Sequence, residues 1–123
     1  MSSEQPKIPR CEIGYLNYSK DSRTKKVDYI VARTIDNTFK IFADSNWYMG
    51  HRNVHNAMLE NGSLSAQDHI VGGGRLVTSV EDGTTRVFLE GRSSRYGQEP
   101  QEVRDIFRGL LTQKFQEMGI AVS

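Results

Sequence analysis

Two spacings of apolar residues alternate along the chain. Residues 27–34 read Val-Asp-Tyr-Ile-Val-Ala-Arg-Thr, and this density of β-branched and aromatic side chains predicts a strand. Asp36 and Asn37 both tolerate left-handed backbone and predict a turn. Residues 38–43 then alternate Phe39 and Ile41 against Lys40, a returning strand that completes a hairpin. Helical spacing follows, with Trp47, His51, Val54 and Met58 on one face at steps of three and four. Asp44 or Ser45 would cap this helix; alternatively the chain stays irregular until Asn53 caps a shorter one. Asn61-Gly62 ends it.

The pattern then returns to strands. Ile70 and Val71 lead into Gly72-Gly73-Gly74-Arg75, residues 75–80 form a strand, Asp82-Gly83 turns, and residues 84–90 return. Glu99 and Pro100 open a last helix whose stripe is Val103, Ile106, Phe107, Leu110, Leu111 and Phe115. Residues 120–122 are short enough for a final edge strand. Nearer the start, residues 1–10 read as a flexible terminus, residues 8–15 as a segment at or beside a sheet edge, and residues 17–26 as a polar loop. The predicted fold is one α+β domain over residues 11–123. It has a mixed or antiparallel sheet of five or six strands with two helices packed on it.

Size and charge narrow the function. At 123 residues and 13.9 kDa there is room for one core, burying roughly two-thirds of the extended surface. Sixteen basic and fifteen acidic residues leave a net charge of +1, so no global field favours nucleic acid or an anionic membrane. Any basic site must be local. The lone Cys11 excludes an internal disulfide, and the absence of an apolar leader or a bilayer-length run makes a cytoplasmic protein the expectation.

Candidate chemistry concentrates in residues 70–97. Three glycines leave the backbone bare, and Gly91-Arg92-Ser93-Ser94-Arg95-Tyr96-Gly97 puts two hydroxyls and two guanidinium groups at the other end of the same hairpin. Together they suit an anion cradle, although the glycines equally fit a bulge or a close helix crossing. No Walker pattern is present. His51 and His55 stand four apart, but the metalloprotease glutamate is missing and His69 is the only other imidazole, which argues against a metal site. A histidine on an apolar face is commonly a packed core residue. Beside an anion cradle, His51 becomes a candidate base or nucleophile, because imidazole gains and loses protons near neutrality.

The strand Val-Asp-Tyr-Ile-Val-Ala-Arg, Trp47 with His51 four residues later, Gly-Gly-Gly-Arg at 72–75 and Gly-Arg-Ser-Ser-Arg-Tyr-Gly at 91–97 together resemble the small protein-histidine phosphatases of the Janus/Ocnus family. The resemblance spans about residues 27–97. It implies that His51 is catalytic, as general base or phosphoryl acceptor. It also implies that Ser93, Ser94 and Arg95 hold the phosphate through a hydroxyl and backbone N–H groups, with Arg75 supporting the pocket; the cradle reading adds Gly73 and Gly74 as phosphate-binding backbone. It further implies that no metal is needed and that the partners are phosphorylated proteins; no cofactor and a monomer are the expectation. Two positions depart from the family pattern: Asp28 stands where a strand lysine is usual, and Arg95 where a small residue is usual. A non-catalytic module binding phosphate or a phosphoprotein in the same pocket is the alternative. Binding of single-stranded nucleic acid is disfavoured by the charge balance.

Overall fold

The computed structural model describes residues 9–18, 25–44, 51–90 and 99–122; the side chains of 25 and 51–54 are not described. The expected flexible terminus therefore lies almost wholly outside the described residues. The chain forms β1 (Arg10–Asn17), β2 (Lys25–Arg33), β3 (Thr38–Asp44), α1 (His51–Glu60), β4 (His69–Glu81), β5 (Thr84–Glu90) and α2 (Gln101–Glu117). The strands make one sheet in the order β1-β3-β2-β4-β5, an α+β domain.

The 27–43 hairpin is present, with Asn37 at φ 68° in its turn. β2 also pairs antiparallel with β4 along its whole length. Consequently β3 and β4 run parallel, and the chain between them crosses over β2 with α1 as the return. β1 is an edge strand, parallel to β3. The polar loop expected over 17–26 is shorter than that, because Asn17 belongs to β1 and Lys25 and Lys26 to β2.

Burial explains why β2 is central. Tyr29, Ile30, Val31 and Ala32 are all fully buried, and in a strand successive side chains point to opposite faces. Tyr29 and Val31 join Ile41, Ala43, Leu76, Val87 and the α2 stripe Val103, Phe107, Leu111 and Phe115. Ile30 and Ala32 join Phe42, Met58 of α1 and Leu64. The two helices therefore cover opposite faces of the sheet. On the larger face the Tyr18 hydroxyl meets the Thr78 hydroxyl at 2.7 Å, and the Tyr18 ring lies 4.7 Å from that of Phe115.

Three expectations change. The strand expected over 75–80 is longer, since β4 begins at His69 and carries Gly72, Gly73 and Gly74 inside its ladder with β2. α1 begins at His51, between the two starts weighed from the sequence; Asp44 closes β3 instead of capping the helix, and Ser45 lies outside the described residues. The last strand shrinks to one parallel bridge between Val122 and Thr85, with the Thr85 N–H donating to the Ala121 carbonyl at 2.7 Å. Asp82 and Gly83 turn between β4 and β5 with φ of 53° and 77°, two left-handed residues as a tight hairpin turn requires. No helix among the described residues is long and apolar enough to cross a membrane.

The α2 stripe carries the larger half of the core. Phe107→Ala should lower stability by about 3–5 kcal/mol, measured as the shift of the denaturant midpoint at unchanged slope.

Candidate functional site

Of the residues singled out from sequence, Ser93, Ser94 and Arg95 lie outside the described residues, as does the side chain of His51. The backbone at 51 is the first residue of α1. α1 connects β3 to β4 and packs Met58 against Ile30, Ala32 and Phe42. Asp44 itself is buried, with the Asn17 amide donating to its Oδ1 at 3.2 Å and the Tyr15 hydroxyl to its Oδ2 at 3.4 Å.

Gly73, Gly74 and Arg75 lie consecutively on β4, opposite Ile30, Tyr29 and Asp28 of β2. Alternation assigns them to faces. Gly73 and Arg75 belong to the α1 face with Ile30 and Asp28, whereas Gly72 and Gly74 belong to the α2 face with Val31 and Tyr29. A register shift between Val31 and Ala32 marks a bulge just before the glycines.

Asp28, whose charge would oppose an anion, is engaged directly across the ladder. Arg75 Nε lies 3.7 Å from Asp28 Oδ1, with the guanidinium largely exposed and the carboxylate mostly covered. That separation is an ion pair longer than a hydrogen bond, and solvent screens it. Arg75 thus shares its charge with Asp28 while more than half of its side chain stays open to solvent.

Gly72 has a different task. A Cβ there would sit 2.6 Å from the backbone nitrogen of Glu99 and against its Oε2, closer than real atoms approach. The first glycine therefore exists to let Glu99 onto the strand, which is the close-approach reading of the glycine run. Glu99 is 2% exposed. Its Oε1 accepts from the Tyr29 hydroxyl at 2.5 Å and from Arg104 Nε at 3.3 Å, while Oε2 is buried with no hydrogen-bond partner among the described residues. Burial first, then the hydrogen bond to Glu99 and its negative charge, push the Tyr29 phenol well above its usual range, with Arg104 opposing. Burial lowers the His55 imidazole below its ordinary value.

These contacts bracket residues 91–98. The β4–β5 ladder ends at the pair Arg75 and Glu90, and the chain is next described at Glu99, held on Gly72. Both anchors lie on β4, three residues or roughly 10 Å apart. Glu90 and Glu99, the described residues on either side of 91–98, therefore both lie against the Gly72–Arg75 stretch. Tyr29, Glu99 and Arg104 were not singled out from sequence. A glycine inside a strand was the only signal, and it says that something comes close without saying what.

Comparison with protein-family models, with curated proteins and with solved structures found no match to this chain.

Two outcomes test this geometry. Gly72→Ala should cost roughly 1–3 kcal/mol, because the obstructing atom is backbone and cannot swing away; thermal unfolding of the variant reads it. A phenol that ionises less readily folded than unfolded stabilises the fold below its unfolded pKa, and that contribution is lost as pH rises beyond about 10. Stability of the native chain should therefore fall more steeply above pH ~10 than that of Tyr29→Phe, measured by denaturant unfolding at stepped pH.

Proposed function

We propose that this protein is a metal-independent phosphatase of the cytoplasm that hydrolyses phosphohistidine, and by the same chemistry phospholysine, in proteins. The observation that carries the reading is the bracketing of residues 91–98 by Arg75–Glu90 at one end and Gly72–Glu99 at the other. It supports the reading by putting the described residues on either side of 91–98 against the strand that carries Gly73, Gly74 and Arg75. The resemblance to the Janus/Ocnus phosphatases, carried by residues 27–97, supplies the roles. Ser93, Ser94 and Arg95 hold the phosphoryl oxygens with backbone N–H groups and a hydroxyl. Arg75 supports them, beside Gly73 and Gly74.

In this reading His51 takes a proton from the attacking water, whose oxygen bonds to phosphorus as the P–N bond breaks and the leaving nitrogen is protonated. In the variant route His51 accepts the phosphoryl group and water releases it in a second step. Either way the cradle stabilises negative charge on the equatorial oxygens. His51 opening a helix is compatible with this, since unpaired N–H groups at a helix start favour anions.

One observation favours a second reading, a non-catalytic phosphoprotein-binding module. Asp28 stands where the family lysine is usual, and it draws on the Arg75 charge at 3.7 Å.

Release of phosphate from a histidine-phosphorylated protein separates the two. His51→Ala should abolish release with the unfolding midpoint unchanged, and a chelator should leave the native rate as it was. Undiminished release by His51→Ala rules out its catalytic role. Amide shifts at Gly73 and Gly74 on adding inorganic phosphate, without turnover of any phosphoramidate, would favour the binding module.

A further inference from the structure

The two edges of the sheet are unlike. β1 carries a register shift between Ile13 and Tyr15, a bulge of the kind that blunts an edge against further pairing. β5 has none: its ladder with β4 runs unbroken from Glu81–Thr84 to Arg75–Glu90, and the strand holds no proline. Its outward groups can be assigned. The Thr85 N–H points away from β4, since it donates to the Ala121 carbonyl at 2.7 Å, and in an antiparallel ladder alternate residues turn their main-chain groups the same way. Val87 and Leu89 therefore present N–H and C=O outward, with no main-chain partner among the described residues. Their side chains join the α2 core, so Arg86, Phe88 and Glu90 stand on the other face. All three are exposed. Phe88 keeps 40% of its surface open, and an apolar ring on an open edge is a template for a further strand.

We propose that β5 is the contact of a homodimer, in which the β5 strands of two copies pair antiparallel about a two-fold axis at Phe88. The exposed face is self-complementary in that register: Arg86 stands opposite Glu90 of the second copy, Glu90 opposite Arg86, and Phe88 opposite its counterpart. The main chain agrees independently. Val87 faces Leu89 of the second copy, both with their groups turned outward, so each such pair exchanges both N–H···O bonds. Phe88 and the charged pairs then fall at the non-hydrogen-bonded positions, where Cα atoms approach to about 4.5 Å and side chains interact most closely. Thr85 keeps its bridge to Val122. The Arg108 guanidinium lies 5.9 Å from the centre of the Phe88 ring; at an exposed site such a contact is weak and yields to an incoming strand. A contact limited to residues 86–90 of each copy is small, so the dimer forms reversibly with concentration, and the monomer expected from sequence is the dilute species. The proposal needs neither the phosphatase reading nor residues 91–98.

Sedimentation of the full native chain from about 10 μM to about 1 mM reads the association. The mass should rise with concentration towards twice 13.9 kDa, while hydrogen exchange of the Val87 and Leu89 amides slows in step. Arg86→Glu and Glu90→Arg each set like charges opposite one another across the two-fold, and each alone should raise the dimer Kd about tenfold or more. Mixed in equal amounts, the two variants match opposite charges at both positions and should recover a heterodimer with a Kd near the native one. Both side chains are exposed, and thermal unfolding at low concentration checks that each variant keeps the fold; if one does not, amide exchange in the native chain decides. A native chain that stays monomeric at about 1 mM overturns the proposal. So does a dimer that ignores both substitutions, or one whose Val87 and Leu89 amides exchange as fast as in the dilute chain, since another surface then holds it. Folded variants that fail to associate when mixed overturn the register and the proposal with it.

Discussion

Everything in this fold answers to the requirement that β2 be covered on both faces. Four consecutive residues, Tyr29 to Ala32, are wholly removed from solvent, so neither face of the strand can be left wet. The sheet meets this with strands on both sides, β3 and β4, and with one helix above and one below. The crossover from β3 to β4 exists because α1 must lie over Ile30 and Ala32, and α2 must lie over Tyr29 and Val31. Of those four side chains one carries a polar group, and the Tyr29 phenol is thereby placed in the core. The buried hydroxyl needs an acceptor, and Glu99 provides it at 2.5 Å.

The candidate site inherits its position from that arrangement. β5 pairs with the second half of β4 alone, its ladder ending at Arg75 and Glu90, while the first half of β4 carries the glycines. Alternation then divides the glycines between tasks. Gly72 accepts Glu99 on the α2 face, and Gly73 shares the α1 face with Arg75 and Asp28. One short run of sequence thus serves packing on one side of the sheet and candidate chemistry on the other.

The elements most legible from sequence are those whose signal is local. The α2 stripe at three and four residue steps and the Asp82-Gly83 turn depend on neighbours in the chain, and both are present as read. Long-range pairing is not written locally. Nothing in residues 10–17 distinguishes a parallel partner from an antiparallel one, and β1 runs parallel to β3. The glycines, which fitted an anion cradle, a bulge or a close crossing equally, are paired inside β4, since a glycine triplet looks the same in sequence whichever of these it serves. The Asp28–Arg75 pair is legible only after β2 is placed beside β4 in one register, and Glu99 only after α2 is docked.

The bond between Tyr29 and Glu99 joins residues 70 apart in sequence, and that between Tyr18 and Thr78 joins residues 60 apart. Large loops must close before either forms, and closure entropy is spent before the contact returns anything. The central strand therefore remains half-clothed during synthesis until α2 has left the ribosome. A nascent chain stopped short of residue 99 holds an apolar ribbon that its own sequence cannot yet cover, and chaperones that bind such surfaces would find their target there.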